Sequence, residues 1–541
     1  MKPINPKVQN LGGAPLGVDF GTTNSAVSRY ANSALRKGPE NLNFPLTGSR
    51  LYPSIAFLDK KSGHIQTGVS AYNKRYTEPE MVIESVKRMI QDGTRYDLNG
   101  RSLSNVDVAE KIISDFIHEI KLTDHDMNPQ IIVVTVPYYF GENENALIKQ
   151  AAEKAIYEQF AHTPQVFLLP EPVAASLACI HDFLDDSFDN RIIFVYDIGG
   201  GTLDLTLVRI VKNEKSFEYE ILANDGIATF GGDDIDNILY NYILSHEKID
   251  FSHLDSRYKA LNRARMLNEC RQTKQSLSAV EETTFMCANL VGMDMDYIEL
   301  NVSRDTLNAL ICGQYGSKRN MFNELTECVE RLYSKAKINK NDVDYLLPVG
   351  GTSCIPLFRN QITKLHSRAK SIISTEQNDI FGIVANGACI YGAMKSDELF
   401  HTEYHPFPIH NSIERMKTRI SHSLFLKKYN DKMDLLIESN SLSPARIEKV
   451  YYPSKFQDDG TIVDLDAVQL FQGQGLSRKK GSDIGSIDFS RYKIYSHGRK
   501  LEEIPICLVF EATDSLVEVK CTIPKSDIDG KDIYFTQTIC Q

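Results

Sequence analysis

The first part of the chain, residues 17–393, alternates short apolar runs with longer stretches of helical periodicity. Most of the apolar runs are bounded by Pro or Gly, which is typical of buried strands in a layered sheet. Strands that alternate with helices predict a layered α/β domain. The clearest predicted strands are residues 131–136, 191–196 and 345–349, and the clearest predicted helices are residues 142–160, 234–245 and 260–277.

The character of the chain changes after Ala393. The segment 395–421 is polar and contains two prolines, so it predicts a linker. Three histidines lie in this segment, but their spacing matches no known metal site, and incidental histidines are the favoured interpretation. These histidines are His401, His405 and His410.

From residue 422 onward, strand signals separated by Asp-Gly, Asn-Asp and Gly-rich turns dominate the sequence. They predict a small all-β domain, with no helical segment after it, whose strands are residues 423–427, 445–452, 465–472, 506–512 and 516–523. The predicted division is an N-terminal extension at 1–16, an α/β domain at 17–394, a linker at 395–421 and a β-rich domain at 422–541.

One pattern occurs twice in the α/β part. A short apolar run leads into Asp19 and a Gly-Thr-Thr turn, and a second apolar run leads into Asp197 and a Gly-Gly-Gly-Thr turn. Alternating strand-like sequence follows both turns, at residues 26–30 and 203–210. Because internal repeats reveal architecture, the two copies predict a duplicated fold with two related halves that face each other.

Composition excludes several classes of protein. A chain of 541 residues predicts two or more domains. The net charge is −11, and the one basic cluster, residues 478–480, is short and is a solvated loop in the favoured interpretation. No nucleic-acid partner is therefore expected, because phosphate binding needs clustered Lys and Arg. The ten cysteines form no C-x-x-C pair and indicate buried thiols in a reducing compartment. With no signal peptide and no apolar stretch of about 18 residues, we expect a cytoplasmic protein without a membrane partner.

The two Asp/Gly/Thr turns carry the strongest chemical signal. Glycines let the backbone N–H groups approach phosphate oxygens, and Thr hydroxyls add donors without adding charge. An Asp beside such a turn repels phosphate, so its expected task is to hold a divalent cation, often through water. The turn after Asp19 alone could be structural, but two such turns predict a clamp around a polyphosphate with Mg²⁺ as counterion.

At these residues the sequence resembles the heat shock protein 70 family, the DnaK-type chaperones of the actin and sugar-kinase superfamily. The resemblance implies a duplicated actin-like (ribonuclease H-like) α/β ATPase domain followed by a small all-β sandwich domain that binds peptide. It rests, in family order, on GVDFGTTNSAV, VKRMI, VVTVPYYF, LLPEPVAASLA, VYDIGGGTLDLTLV, FGGDDIDN, LLPVGGTSCIPLF and ANGACIYGA.

The resemblance also implies roles for individual residues. Asp19 and Asp197 match residues that flank Mg²⁺ and its waters, and Lys87 matches the catalytic lysine, although a surface lysine is the alternative. Glu171 and Asp204 match the carboxylates that orient the attacking water, although Glu171 could instead be a helix N-terminal acid. The residues expected around the phosphates are Gly21, Thr22, Thr23, Asn24, Gly199, Gly200, Gly201 and Thr202, the last also counted as catalytic.

Contacts to the nucleotide base and ribose are implied in the same way, with three departures from the family. Arg271 stands where the family has Glu, Gln275 where many members have Arg, and Cys354 where an Arg packs against adenine. Losing such a guanidinium stack removes about 0.5–2 kcal/mol, so we expect weaker nucleotide binding than in typical members. The residues expected in this part of the site are Gly231, Gly232, Lys274, Gln275, Ser278, Gly350 and Gly351.

The resemblance is weaker in the segments that would join the ATPase to the peptide site. Pro137 and Glu171 match the family's proline switch, but the segment 141–145 lacks an expected Arg, and the linker lacks the family's leucine run. In the C-terminal part, residues 467–473 and 504–524, with a turn at Asp514, resemble peptide-binding strands. Without a helical lid, rapid peptide exchange is expected.

Two functions remain open from the sequence. The first is an ATP-dependent chaperone that binds ATP or ADP with Mg²⁺, holds unfolded or extended polypeptide, and works with a J-domain co-chaperone and a possible nucleotide-exchange factor. The second is a nucleotide-binding regulator that engages chaperone partners with little turnover. A small-molecule kinase or a polymerising actin relative is disfavoured, because the β-rich domain has no place in either class.

Overall fold

The computed structural model of the protein describes residues 13–32, 37–125, 127–157, 159–160, 162–183, 190–213, 216–295, 297–372, 380–400, 423–427, 433–438, 441, 445–453, 455–456, 462–464, 468–473, 482–489, 491–512 and 517–539. These residues divide into two units. The first unit holds most of residues 13–400, and the second is built mainly from residues 423–539.

The first unit combines strands with ten helices among the described residues. Its strands are β1 (Leu16–Asp19), β2 (Asn24–Asn32), β3 (Lys37–Asn41), β4 (Tyr52–Pro53), β5 (Ala56–Asp59), β6 (His64–Thr67), β7 (Val82–Ile83), β8 (Arg95–Leu98), β9 (Arg101–Ser104), β10 (Ile131–Val136), β11 (Gln165–Pro170), β12 (Asn190–Ile198), β13 (Leu203–Asn213), β14 (Ser216–Ile227), β15 (Glu282–Ala288), β16 (Tyr297–Ser303), β17 (Tyr345–Val349) and β18 (Lys370–Ser371). Its helices are α1 (Gly68–Lys74), α2 (Asn105–Lys121), α3 (Glu142–Ile156), α4 (Glu171–Phe183), α5 (Gly232–His246), α6 (Ser256–Ala279), α7 (Arg304–Ile311), α8 (Met321–Ala336), α9 (Pro356–Leu365) and α10 (Ile383–Phe400).

Two sheets of the first unit share one strand order. In the first sheet the order is β3-β2-β1-β10-β11, and in the second it is β14-β13-β12-β17-β18. In both, the strand before the glycine turn pairs antiparallel with the strand after it and parallel with a strand from much later in the chain. The mixed α/β architecture predicted from the sequence is therefore observed, with the repeated turns in equivalent places.

Local sequence explains the central elements. Every residue of β10 is buried, as a parallel strand covered on both faces requires. Helix α2 begins with a capping box: the Ser104 hydroxyl accepts from the Asp107 N–H at 3.2 Å, and the Asp107 carboxylate accepts from the Ser104 N–H at 2.8 Å. Helix α10 packs closely on α4 because Gly387 has no side chain, and a Cβ there would collide with the Ala174 carbonyl.

The second unit is a sandwich of antiparallel sheets. The sheet orders are β20-β19-β24-β25, β21-β27-β28-β29 and β22-β23-β26, and one core joins residues of the two four-stranded sheets, including Leu424, Leu470, Phe510 and Val519. Its strands are β19 (Ser423–Lys427), β20 (Met433–Ile437), β21 (Ala445–Tyr451), β22 (Lys455–Phe456), β23 (Ile462–Asp464), β24 (Val468–Gly473), β25 (Ser482–Ile487), β26 (Ile494–Tyr495), β27 (Ile506–Ala512), β28 (Val517–Ile523) and β29 (Ile533–Ile539).

Several predicted helix ends differ from the structure. The helix predicted over residues 260–277 begins four residues earlier, at Ser256. The helix predicted over residues 142–160 ends at Ile156, and beyond its end the Gln159 side chain donates to the Ala155 carbonyl at 2.6 Å. Helix α10 continues to Phe400, into the segment predicted as linker, where an ion pair of 2.8 Å between Lys395 and Glu398 stabilises an added turn.

Other expectations fall outside the described residues or need correction. The histidines at 401, 405 and 410, the basic cluster at 478–480 and the turn at Asp514 lie outside the described residues. The nine described cysteines are all free, but the expectation of buried thiols is wrong for three of them, which are partly exposed: Cys312, Cys354 and Cys507. No described helix combines the length and apolar character needed to cross a membrane.

Candidate functional site

Acidic residues of the predicted site lie at the carboxyl ends of the central strands. Asp19 ends β1, Glu171 follows β11 as the first residue of α4, and Asp197 is the penultimate residue of β12. Because neighbouring parallel strands end at the same edge of a sheet, this edge collects the residues that follow them. This topology brings Asp19 and Glu171 to one edge of the first sheet, and Asp197, 178 residues after Asp19 in the chain, lies at the corresponding edge of the second sheet.

The two Asp/Gly/Thr turns contact each other. A Cβ on Gly200 would collide with the Thr23 hydroxyl, so the turn after β12 lies directly against the turn after β1. The second turn is closed by the Gly199 N–H, which donates to the Thr202 carbonyl at 3.0 Å. The first turn is fixed by the Ser54 N–H, which donates to the Thr23 carbonyl at 2.9 Å. Two glycine-rich turns in contact bring their backbone N–H groups close together, an arrangement that suits anion binding.

Lys87 is buried at the centre of this edge. Its side chain is only 2% exposed and forms an ion pair with the Glu171 carboxylate. Its Nζ also donates to the Thr135 carbonyl at 3.4 Å. The alternative that Lys87 is an ordinary surface lysine is therefore wrong. The alternative that Glu171 is a helix N-terminal acid is compatible with its position, since Glu171 is the first residue of α4. It also pairs with Lys87, so the two interpretations do not exclude each other.

Three partly buried carboxylates lie near this ion pair. The pKa of Asp19 and that of Asp204 are each raised to about 7, chiefly by burial and also by repulsion from Glu171. Burial also raises the pKa of Asp197 well above its usual range, with added repulsion from Glu171, Asp204 and Asp19. Lys87 lowers the pKa of all three, and Arg88 lowers that of Asp204. Four carboxylates thus face two cations, and this excess of negative charge suits an additional divalent cation.

The described side chains fit a cation that keeps its water. Among the described residues, no group of three or more His, Cys, Asp or Glu side chains is arranged to hold a metal ion directly. Asp19 and Asp197 nevertheless lie beside the two turns that contact each other. Mg²⁺ gives up its water reluctantly and is commonly held by one or two carboxylates together with substrate phosphates, and this donor set fits that arrangement.

The glycines predicted near the base are joined to the second turn. The Gly232 N–H donates to the Gly199 carbonyl at 3.1 Å, and the Thr352 hydroxyl donates to the same carbonyl at 2.8 Å. Gly350 has a φ of 77°, and a Cβ there would collide with the Asp197 carboxylate. Gly350 therefore combines a left-handed backbone with close approach to an acidic residue of the site, two reasons for glycine at this position.

The residues predicted on α6 lie in different environments. Lys274 is buried, and its Nζ contacts the Gly232 carbonyl and the Asp236 carboxylate, both at 2.7 Å. Ser278 donates to the Lys274 carbonyl at 3.3 Å, whereas the Gln275 side chain is exposed. Arg271 also contacts Asp236, at 3.4 Å. Burial raises the pKa of Asp236, and its two cationic neighbours lower it.

Some residues of this site are not predicted from the motifs. Thr135 donates through its hydroxyl to Asp19 at 3.2 Å, and it is the one polar residue in the apolar strand β10, a signal visible in the sequence. Arg88, beside Lys87, reaches the carbonyls of Gly201 and Ala228. Asp236 is not marked by its local sequence in this way, because its partners, Arg271 and Lys274, lie on another helix, α6.

Comparison with known proteins gives a consistent result. A protein-family model described as "Hsp70 protein" matches residues 95–498. The chain is 24% identical over 504 residues to the "Chaperone protein DnaK" of Carsonella ruddii (strain PV), covering 88% of this chain and 76% of that protein. It is 24% identical over 506 residues to the protein of the same name from Mycoplasmoides gallisepticum, covering 92% and 77%. For the "Chaperone protein DnaK" of Mycoplasmopsis agalactiae the identity is 27% over 393 residues, covering 71% and 59%.

The family match spans well over half of the 541 residues, and the two relatives at 24% identity align along most of the chain. The mixed α/β unit and the β-sandwich are both consistent with this family. The resemblance inferred from the motifs is confirmed: the chain belongs to the Hsp70 family, as a distant relative of the DnaK chaperones.

Proposed function

We propose that this protein is an ATP-dependent chaperone that hydrolyses ATP to control the binding and release of extended polypeptide. Membership in the Hsp70 family supports a chaperone role in general, and members of that family are typically ATPases. The observation that carries the proposal is the buried Lys87–Glu171 pair, surrounded by three carboxylates where the two glycine–threonine turns meet.

In this proposal each charged residue has one task. Lys87, buried and positive, stabilises charge that develops on the transferred phosphoryl group, and Glu171 and Asp204 orient the attacking water. Asp19 and Asp197 hold the water shell of Mg²⁺. The turns at 21–24 and 199–202 donate N–H and hydroxyl groups to the phosphates. Bound Mg²⁺ supplies neutralising charge at the phosphates.

The second unit supplies the polypeptide site in this proposal. An antiparallel sandwich can hold an extended peptide through backbone hydrogen bonds, while an apolar pocket selects side chains. We assign the ATPase to residues 17–394 and the peptide site to residues 422–541. A J-domain protein and a nucleotide-exchange factor are the partners we propose, and the cytoplasm is the compartment.

A second candidate, a nucleotide-binding regulator with little turnover, is favoured by one specific observation. Arg271 and Lys274 are both engaged by Asp236, and Cys354 stands where the family has a guanidinium. Groups that would contact ribose and base are thus altered or already paired. The phosphate side of the site has no corresponding change, and this difference makes the ATPase the stronger candidate.

Single-turnover hydrolysis of ATP separates the two candidates. We expect Lys87→Ala and Thr202→Ala to lower the rate by about 100-fold or more, the usual loss when a positioned electrostatic group is removed. Lys149→Ala is the matched control, since Lys149 is half exposed on α3 and pairs only loosely with Glu153 at 3.8 Å. A J-domain protein should accelerate the wild type. Equal rates for the wild type and Lys87→Ala would favour the regulator.

A further inference from the structure

An aromatic ring is exposed beside the glycine turn predicted to approach the nucleotide base. Phe381 lies two residues before α10 and is 42% exposed. A Cβ on Gly351 would lie 3.0 Å from Cε1 of this ring, so the ring edge lies against the glycine. An exposed aromatic side chain beside a turn predicted to approach the base can contact a bound ligand.

The backbone around Phe381 is held in place. A Cβ on the next residue, Gly382, would collide with the side-chain amide of Asn41, so this segment lies close against the end of β3. The Gly382 carbonyl accepts from the Asn386 N–H at 2.8 Å, which forms the first turn of α10. These contacts therefore fix the backbone next to the ring, and a side chain on a fixed backbone loses less conformational entropy on binding.

The turn that contacts Phe381 is continuous with the proposed phosphate site. Gly350 approaches Asp197, and Thr352 donates to the Gly199 carbonyl at 2.8 Å. Gly351, between them, contacts Phe381. If the phosphates of a nucleotide bind at Gly199, its nucleoside part can therefore extend along this turn toward the exposed ring of Phe381.

Phe381 can supply an interaction that another position has lost. Cys354 ends the short helix Gly351–Cys354, where the family resemblance leads one to expect a guanidinium that packs on adenine. A phenyl ring offers the same kind of contact through its π-face, and stacking between a base and an aromatic ring is independent of the base's hydrogen-bonding edge.

We propose that Phe381 stacks on the base of a bound purine nucleotide and so compensates for the missing guanidinium at Cys354. This inference rests on the proposed nucleotide binding and adds a residue that determines base affinity. Because stacking depends on ring area, Phe381 favours purines over pyrimidines and by itself distinguishes adenine from guanine only weakly.

Calorimetric titration of the full chain tests the inference. Phe381→Ala should weaken Mg·ADP binding about tenfold, the loss typical of one stacked base, and leave the binding of tripolyphosphate unchanged. Unchanged ADP affinity in Phe381→Ala, or equal losses for ADP and tripolyphosphate, would overturn the inference while leaving the proposed function intact. Wild-type protein that binds neither ligand would overturn both.

A second variant reports on the contact directly. The chain contains no tryptophan, so Phe381→Trp creates a single tryptophan, whose emission can be excited selectively over that of the 25 tyrosines. We expect ADP to quench its emission and tripolyphosphate to leave it unchanged. Tyr297→Trp, at a position 56% exposed on β16, is the control and should not respond to ADP. Equal responses of the two variants would contradict stacking at Phe381.

Discussion

Thr135, on strand β10, contacts both a positively charged and a negatively charged residue of the site, Lys87 and Asp19. Its carbonyl accepts from Lys87, and its hydroxyl donates to Asp19. Lys87 is buried and Asp19 is partly buried. One polar residue in an otherwise apolar strand thus positions the cation and one of the carboxylates together.

Replacing Thr135 separates these two effects. Thr135→Val keeps the shape and the carbonyl contact to Lys87 but removes the hydrogen bond to Asp19. A hydrogen bond to a charged group contributes about 1.5–3 kcal/mol, so we expect ATP hydrolysis to require roughly tenfold more Mg²⁺ for half-maximal rate. Thr135→Ser, which retains the hydroxyl, is the control. A normal Mg²⁺ requirement in Thr135→Val would show that this hydrogen bond does not position Asp19.

His366 is a second buried residue whose protonation state follows from its partners. Its Nδ1 faces the Ile362 carbonyl at 2.7 Å and must donate, so its Nε2 accepts from the Tyr333 hydroxyl at 2.6 Å. The ring stacks on Phe194 with centroids 4.8 Å apart. Burial lowers the pKa of His366, partly opposed by the hydrogen bond to the Ile362 carbonyl. Burial thus favours the neutral imidazole in the folded protein.

This pKa shift predicts how stability depends on pH. Because the pKa of His366 is lower in the folded than in the unfolded state, the unfolded chain binds the extra proton, and stability falls as pH drops below the unfolded value of about 6.5. We expect the urea midpoint to fall less between pH 7.5 and 5.5 in His366→Gln than in the wild type. Half-exposed His246 provides the control His246→Gln, which should keep the wild-type slope. Equal slopes in all three proteins would contradict the prediction.

At the scale of elements, α6 contacts both α1 and α5, which lie far apart in the chain. Asn268 and Arg271, one turn apart on α6, face α1 and the residues that follow it. The Tyr76 hydroxyl donates to Asn268 at 2.6 Å, and Arg271 donates to the Tyr72 hydroxyl at 3.1 Å. Arg271 also pairs with Asp233 at 3.2 Å and with Asp236. Arg271 thus makes a bridge between α1 and α5.

Reversing the charge of Arg271 should open this bridge. Arg271→Glu loses the contact to Tyr72 and adds a third carboxylate beside Asp233 and Asp236, and like charges at this distance repel. We expect ADP to dissociate about tenfold faster in stopped-flow measurements, since contacts between two halves slow the opening of a cleft. Arg263→Met, elsewhere on α6, is the control. Unchanged ADP release in Arg271→Glu would mean that the bridge does not limit opening.

The sequence predicts the central strands well and the ends of some elements poorly. Strands β10 and β17 match their predicted bounds because each is an apolar run closed by Pro or Gly. The end of α3 lies before Gln159, which also donates to the Ser114 carbonyl at 3.1 Å, a contact between residues 45 apart in sequence. Strand β25 was not predicted, because its short polar sequence carries Gly485 and shows little alternation.

The candidate site is also predicted only in part from the sequence. The motifs alone identify the two turns, Lys87 and the acidic residues, because their chemistry depends on local sequence. Asp236 and Phe381 could not be found in this way, since each matters only through contacts with distant parts of the chain. Tertiary packing rather than local pattern therefore determines the base side of the site.

At the scale of the whole molecule, the protein combines a mixed α/β unit with a β-sandwich, to which we assign the nucleotide and the extended peptide respectively. The sandwich follows directly from alternation: β27 and β28 bury every second residue, and these residues form its core. If ATP hydrolysis serves peptide binding, the nucleotide must change the behaviour of the second unit, and free energy of binding must be coupled between the two sites.

Dissociation of a fluorescent extended peptide from the full chain tests this central claim most directly. We expect release to be at least about tenfold faster with ATP than with ADP, a coupling of about 1.4 kcal/mol. The Thr202 side chain forms a hydrogen bond with Asp204. In Thr202→Ala, which loses this bond, we expect ATP still to bind but to accelerate peptide release less. Equal release rates with ATP and ADP in the wild type would contradict an ATP-dependent chaperone.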